Sequence, residues 1–335
     1  MPTIVMTDND FGDCSFERDM VEAAHITFIS AADVTSLPMT ELRTPAQLIK
    51  SLAHADGAIA SYGHYTAEVF AACPHLKVVS KTGTGVDNID VACATTNNTA
   101  VCNVPGYGTE VVSDHALALA LTSIRRINEI DADMHAGTWD FRRHRPLGQI
   151  SGRTFGVVGY GAIGKACARK AAGIGFSVVV WDRSLTPGGT TEAGYPILNL
   201  EQLLQTADTI SFHVALTPDT YHLLNKDNLK LLKPNAIVVN TSRGAVIDTV
   251  ALAEALNSEK LWGAALDVFE EEPLSADAPI CHAKHTVLTS HAAYWSEESI
   301  VELRKRCTQN AIDVVLGKTP DSCVNPEVLP AAFAK

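Results

Sequence analysis

The sequence has no Cys-x-x-Cys pair: its eight cysteines, at 14, 73, 93, 102, 167, 281, 307 and 323, are scattered. That spacing excludes paired-thiol zinc ribbons and thioredoxin-type redox motifs, and so large a chain stabilises itself without disulfides. The cysteines therefore read as reduced, mostly buried thiols. Cys281, His282 and His285 make the tightest group of metal-ligating residues, but no second ligand pair accompanies them, so they read as a structural loop and no metal is expected. Positive charge is also scarce: 26 Lys and Arg against 38 Asp and Glu leave a net charge of −12. This argues against nucleic acid and anionic membrane as partners. The one basic cluster, Arg142, Arg143, His144 and Arg145, reads as a solvated loop or subunit contact at the fringe of a site. No apolar run reaches transmembrane length, and the opening TIVMTDND lacks the basic lead and long apolar core of a signal peptide. A cytoplasmic protein is expected. Internal repeats and low-complexity tracts are absent.

What is present is a well-packed globule, 46% hydrophobic and 19% charged. A length of 335 residues exceeds what one core usually supports, so two domains are expected. From Ser151 onward the apolar runs TFGVVG, SVVVWD, TISFHVAL, AIVVNTS, LWGAALDVF and HTVLTS alternate with helical segments such as NLEQLLQTAD and DTVALAEALNSEK. Such alternation predicts a parallel sheet with helices on both faces. Upstream, TIVMTD, HITFIS, DGAIASYG and LKVVSKTG alternate with TPAQLIKSLAHA and TAEVFAACP, a second and smaller open unit. The fold class is thus α/β, with two open, doubly wound parallel-sheet domains and a cleft between them. Thr109–Ile130 reads as one long connecting helix with Thr109 as its N-cap, and Ser296–Leu316 as a helix with Glu297 and Glu298 in its first turn. If the latter returns to the first unit, the smaller domain is discontinuous.

The strand TFGVV runs into GYGAIGKA, with Gly159, Gly161 and Gly164 at dinucleotide-site spacing and Ala162 and Ile163 opening the helix. Gly159 allows a tight turn, Gly161 lets backbone approach a pyrophosphate, and Gly164 lets helix pack on strand, so that phosphate meets the helix N-terminus. Asp182 closes the next strand eighteen residues past Gly164, where a carboxylate accepts from the adenosine ribose hydroxyls. Its charge favours NAD over NADP, while neighbouring Arg183 leaves NADP as the less favoured alternative. His291 follows HTVLTS at the carboxyl end of a strand, where ligands bind, and imidazole exchanges protons near neutrality. Arg243 closes AIVVNTS, and a guanidinium grips carboxylate and carbonyl oxygens together. Tyr62, Tyr107, Tyr294 and Trp295 are candidates for an aromatic pocket wall and equally for core or subunit-contact aromatics.

KTGTGVDNID (81–90), NVPGYGTEVVSDHALAL (103–119), GYGAIG (159–164), NTSRGAVID (240–248), ALDVFEEEP (265–273) and TSHAAYWSEES (289–299) follow one another in this order. By these motifs, over essentially its whole length, the chain resembles the NAD-dependent D-isomer-specific 2-hydroxyacid dehydrogenases. HAAYWSEES and NVPGYGTE are most similar to the C-terminal-binding-protein-like branch. The resemblance implies a flavodoxin-like substrate domain from residues 1–103 and 298–335, and a Rossmann coenzyme domain at 104–297. It implies a homodimer and a small-molecule substrate, a 2-keto acid interconverted with the D-2-hydroxy acid. His291 is then the general acid/base, Glu272 its acidic partner, and Arg243 the carboxylate-binding cation. Glu270 and Glu271 read as a solvated acidic turn. A Glu at 272, where formate-oxidising relatives carry Gln, fits hydroxyacid chemistry. Thr84 and Gly85 match the substrate carboxylate cradle, and Asp267 the residue that holds the nicotinamide carboxamide. Thr109, His213, Thr241 and Ser242 match weaker cofactor contacts. Two departures are visible: Ala215 stands where Pro is usual, and Tyr294–Trp295 reverses the order of the branch. The alternatives are a phosphoglycerate dehydrogenase and an NAD-sensing co-repressor-like binding protein; the short chain ends favour a metabolic enzyme.

Overall fold

All strand pairs are parallel in the computed structural model, which describes residues 1–35 and 44–329. The expected C-terminal segment therefore ends, for description, at 329; its residues 330–335 lie outside the described ones. The chain divides into two units, Met1–Tyr107 with Ser296–Lys335, and Gly108–Trp295.

In the first unit, β1 (Thr3–Met6), β2 (Thr27–Ser30), β3 (Gly57–Ala60), β4 (Val78–Lys81) and β5 (Ala100–Cys102) order as β2-β1-β3-β4-β5, the flavodoxin-like arrangement. The fifth strand was not among the expected runs, because AVC is only three residues long. Its core packs Leu48, Leu52, Val69, Phe70 and Val79 between sheet and helices. The C-terminal helix α11 (Glu297–Val315) belongs to this unit and starts at a capping box in which Ser296 and Ser299 satisfy each other's amides. Arg304 on α11 grips Glu17 of α1 (Ser15–Ala23) through two bonds of 2.6 and 2.7 Å, with Glu17 only 1% exposed. A bidentate pair so placed fixes the helix's register as well as its position.

The second unit holds β6 (Thr154–Val158), β7 (Ser177–Trp181), β8 (Thr209–Phe212), β9 (Ile237–Asn240), β10 (Gly263–Leu266) and β11 (Thr286–Leu288), in the order β11-β10-β9-β8-β6-β7. A single parallel bridge of Ile197 to Val180 extends the sheet beyond β7. Counting it as a strand gives the order 3-2-1-4-5-6-7, the Rossmann order 3-2-1-4-5-6 extended by β11, with the switch point between β6 and β8. Strands β6, β8, β9 and β10 are buried nearly throughout, as central parallel strands must be.

The long connecting helix is in fact two: α6 (Thr109–Arg125) and α7 (Ile127–His135), broken at Arg126, which takes a left-handed φ of 50°. Arg126 is buried, and its guanidinium faces the ring of Trp262 while bonding Glu129 and His285. Reaching those partners from a helical backbone would require a different side-chain path. The cap of α6 is Gly108, and Thr109 is the first helical residue, making no side-chain cap. The helix α8 (Ala162–Gly173) is fastened to α6 by Lys170, which bonds the carbonyl of Glu110, Oγ of Ser113 and Oδ1 of Asp114.

Four cysteines (73, 102, 167 and 307) are buried and four are part-exposed, so half rather than most are buried, and all eight are free thiols. The basic cluster is spent locally: Arg142 pairs with Asp140, Arg143 with Asp133, and His144 with both Glu129 and Asp133. His285 meets Glu129, and the Cys281 thiol donates to the carbonyl of Ser275.

Candidate active site

The carboxyl ends of β6, β7 and β9 build one half of the site. Gly159 has a φ of 97°, and a Cβ there would lie 2.8 Å from the backbone at His213 and Val214. A Cβ on Gly164 would lie 1.9 Å from the carbonyl oxygen of Gly159, so only glycine allows α8 this approach to its strand. At Gly161, the N-cap of α8, a Cβ would meet nothing within 4 Å, so the helix start, carrying Ala162 and Ile163, opens outward with its amides. Asp182 accepts from the amide of Tyr160 at 2.8 Å and from the amide and hydroxyl of Ser184 at 2.9 and 2.7 Å. Burial works against its charge, but these hydrogen bonds and neighbouring Arg183 hold the carboxyl below the usual range, so it is ionised at neutral pH. Arg183 itself is exposed.

At the end of β9, Asn240 turns the chain: its amide donates to the carbonyl of Arg243, and its oxygen accepts from the amide and hydroxyl of Ser242. The hydroxyl of Ser242 is thus committed to the turn. Oγ1 of Thr241 is buried without a hydrogen-bond partner. An orphaned buried hydroxyl, an open helix N-terminus and an ionised carboxylate past the glycines are what a dinucleotide's polar groups require. His213, at the end of β8, meets Oγ of Ser211 at 2.9 Å, and burial draws its pKa down to about 4, so the ring is neutral. Thr109 stands half-buried at the first turn of α6.

The other half gathers around His291. Its Nδ1 donates to Oε2 of Glu272 at 2.7 Å, with side chains 29% and 31% exposed. Oε1 of Glu272 accepts from the amide of Phe269 at 2.9 Å. Burial pushes this carboxyl up, but the bond to His291, its charge, the Phe269 amide and the nearby Arg243 guanidinium together hold it below the usual range. Arg243 therefore stands within electrostatic reach of the carboxylate that holds His291. The approach depends on Gly244, where a Cβ would fall 1.8 Å from the carbonyl carbon of Phe269. Nη1 of Arg243 donates to the carbonyl of Ser242 at 2.8 Å, aligning the guanidinium. Glu270 is exposed, as expected, but also bonded: it accepts from the amide and hydroxyl of Thr249 and meets Nε2 of His222 at 2.8 Å. Glu271 is exposed beside it.

His291 has a φ of 54°, a left-handed conformation rare outside glycine and common where function fixes the backbone. Asp267, 1% exposed, imposes it. One carboxylate oxygen accepts from the hydroxyl of Thr289 at 2.5 Å and the amide of Ala292 at 2.9 Å, and the other from the amide of Ala293 at 2.9 Å. Its carbonyl accepts the amide of His291 at 2.7 Å. Nε2 of His115 meets Thr289 at 3.0 Å and completes the chain. Asp267 thus serves the loop around His291, whatever else it contacts. The ring of Tyr294 stands edge-on to His291 at 6.0 Å, and Trp295 edge-on to Tyr294 at 6.1 Å.

The remaining candidates belong to the first unit. Thr84 is exposed, its hydroxyl donating to the carbonyl of Val104 at 3.1 Å, and Gly85 is half-buried. Tyr62 lies under Nζ of Lys81, 5.3 Å from the ring centroid, and Tyr107 is half-buried. Two residues here were not singled out in the sequence. Lys81, 8% exposed at the end of β4, donates to the carbonyl of Ser61, and Asp8 holds the amides of Ser61, Tyr62 and Gly63. Their signal was position alone, each lying at the carboxyl end of a parallel strand.

Residues 117–293 match the family model for the D-isomer specific 2-hydroxyacid dehydrogenase, NAD binding domain. The chain is 41% identical over 266 residues to a glyoxylate reductase of Korarchaeum cryptofilum, an overlap of 78% of this chain and 80% of that one. The chain belongs to the D-isomer-specific 2-hydroxyacid dehydrogenases. A Thermus thermophilus structure, 32% identical, superposes with a TM-score of 0.83 over 97% of this chain and 100% of the other. A D-lactate dehydrogenase of Aquifex aeolicus, solved with NAD and lactic acid, superposes at 0.84 with 25% identity, over 98% of this chain and 100% of that one.

As a member of this dehydrogenase family, the chain is an NAD-dependent oxidoreductase that interconverts 2-keto and 2-hydroxy acids. The residues around Gly159–Gly164, Asp182 and Thr241 fit the coenzyme on their own geometry.

Proposed function

We propose that this dehydrogenase reduces a small 2-keto acid of the glyoxylate class with NADH, reversibly, giving the D-2-hydroxy acid where the product is chiral. The observation that carries the reading is the 2.7 Å bond of His291 to Glu272 with Arg243 in electrostatic reach of the same carboxylate. The bound dihydronicotinamide supplies the hydride. Glu272 occupies Nδ1 of His291, leaving Nε2 as the proton-transferring atom. Arg243 grips the substrate carboxylate and polarises the carbonyl beside it. The loop at Thr84 and Gly85, in the first unit, is assigned as a backbone-amide cradle for a carboxylate. Asp182 selects NAD against NADP by repelling a 2′-phosphate.

Identity to glyoxylate reductases supports the substrate class. Similarity to a D-3-phosphoglycerate dehydrogenase of Mycobacterium leprae, 37% over 82% of this chain but 49% of that one, makes 3-phosphohydroxypyruvate the second substrate to try. The test is NADH and NADPH oxidation with glyoxylate, hydroxypyruvate, pyruvate, phenylpyruvate and 3-phosphohydroxypyruvate. Glyoxylate or hydroxypyruvate should give the highest kcat/KM with NADH; a preference for the phosphorylated or aromatic acid would replace the reading. We further assign a homodimer, supported by exposed Ile127, Met134, Trp139 and Phe141 on and after α7. A cytoplasmic location is supported by eight free cysteines. No described helix is long and apolar enough to cross a membrane.

A further inference from the structure

The segment after α11 returns along the edge strand β5 and is pinned there. The amide of Val324 donates to the carbonyl of Val101 at 2.7 Å, and the amide of Val101 donates to Oδ1 of Asn325 at 2.7 Å. Nδ2 of Asn325, which is 2% exposed, bonds Oγ1 of Thr95 and the carbonyl of Thr99 at 2.9 and 3.0 Å. This register sets Cys323 beside Cys102, and the Cys323 thiol donates to Oδ1 of Asn325 at 3.5 Å. Cys102 is fully buried, whereas Cys323 is part-exposed and open to a small reagent. One residue away on each strand, Oγ of Ser322 donates to Oδ1 of Asn103 at 2.6 Å, and Nδ2 of Asn103 donates to the carbonyl of Thr84 at 2.8 Å. The thiol pair thus lies directly next to the chain of bonds that holds the Thr84–Gly85 loop.

We propose that Cys102 and Cys323 form an oxidisable dithiol, closed to an intramolecular disulfide by a peroxide, whose closure weakens binding of the 2-keto acid through Ser322, Asn103 and Thr84. Cys323 is the part-exposed thiol of the pair, and neighbouring hydrogen bonds favour its thiolate, so it is the attacking group. Its sulfur takes one oxygen from the peroxide, releasing water and leaving a sulfenic acid. The Cys102 sulfur then displaces hydroxide from that sulfenic sulfur, which leaves as water with the Cys102 proton. Two thiols and one peroxide become one disulfide and two waters. Covalent closure pulls Cys323, and Ser322 with it, towards β5, and shifts the Asn103 bracket under Thr84. Disulfides of this kind in reducing compartments are transient and regulatory.

The effect on the substrate rests on the assignment of the Thr84 loop to the keto acid. The full-length protein is treated with hydrogen peroxide, alkylated, digested without reductant and mapped by mass spectrometry, with KM for glyoxylate and hydrogen exchange of residues 82–86 measured before and after. A 102–323 cross-linked peptide is expected. KM should rise about fivefold or more, with kcat retained and dithiothreitol restoring the starting value. Exchange at 82–86 should quicken. Cys323→Ser should keep the reduced protein's KM and lose the response; Cys102→Ala should lose the peptide as well. Absence of the cross-linked peptide would overturn the proposal, as would a fully formed disulfide with unmoved KM and exchange. Failure of the keto-acid reading would look different: neither redox form would turn over glyoxylate, while the peptide and the change at 82–86 would still appear.

Discussion

The backbone amide of His291 donates to the carbonyl of Asp267 at 2.7 Å, while the Asp267 carboxylate holds the amides of Ala292 and Ala293 that follow. One buried acid therefore clamps both sides of the left-handed residue that presents the imidazole. In Asp267→Asn, the amide group would face donors where an oxygen is needed, and the turn would loosen. A misplacement of this kind costs about 10²-fold in rate. The expected signature is a fall in kcat with NADH affinity changed much less; equal loss of both would mean that Asp267 acts mainly on the coenzyme.

Removing the imidazole tests the acid/base assignment. His291→Ala should lower kcat/KM by roughly 10²- to 10⁴-fold while NADH, titrated by fluorescence, binds nearly as before. Glu272→Gln removes the carboxylate that holds Nδ1 of His291 at 2.7 Å. The mispositioned ring should then lower kcat by about 10²-fold with NADH affinity nearly unchanged, and an unmoved kcat would count against the pair.

Asp182 governs which dinucleotide is accepted. Its ionised carboxylate should repel a 2′-phosphate, so Asp182→Ala should raise kcat/KM for NADPH relative to NADH by roughly tenfold, the equivalent of about 1.4 kcal/mol. An unchanged ratio would assign the discrimination to Arg183 or another contact.

Gly164 is tested by a single methyl group. A Cβ there would sit 1.9 Å from the carbonyl oxygen of Gly159. Gly164→Ala should destabilise the coenzyme-binding unit by about 1–3 kcal/mol and raise the Kd for NADH. Gly161→Ala, whose Cβ meets no protein atom within 4 Å, should leave stability nearly intact and affect NADH alone. Denaturation midpoints with and without NADH separate the two.

His213 gives a pH dependence of stability. Burial lowers its pKa to about 4, so between the unfolded value near 6.5 and the folded value the unfolded chain binds the proton preferentially. This contribution to stability is fully present above about pH 6.5 and declines as pH falls to about 4, by about 3 kcal/mol at most. His213→Asn should flatten that slope in urea titrations; an identical slope would place the acid sensitivity elsewhere.

Much of this was legible in the sequence because parallel strands buried on both faces write continuous apolar runs, and six such runs after Ser151 became β6 to β11. The glycine spacing was legible for a stricter reason, since a Cβ at Gly159 or Gly164 has no space. The break at Arg126 was not, because an apolar helical pattern continues across it and only the contacts to Trp262, Glu129 and His285 fix its backbone. AVC was too short to register, and Ile197 joins the sheet through one bridge. Around the site, the roles of Asp267, His115 and Thr289 depend on which atoms their side chains reach, and nothing in their spacing specifies that. Glu270 and Glu271 are both exposed, and only the bonds of Glu270 to Thr249 and His222 set it apart.

The bridge at Ile197 also bears on solubility. Val180 donates its amide to Pro196 and accepts from Leu198, so polar groups that β7 would otherwise offer sideways are already used. An open parallel edge is a template on which a foreign strand adds, seeding aggregates. The short hook through 196–198, with a proline at its start, blocks such addition, so shortening or unpinning it should make the protein prone to precipitate on storage before any loss of turnover is seen.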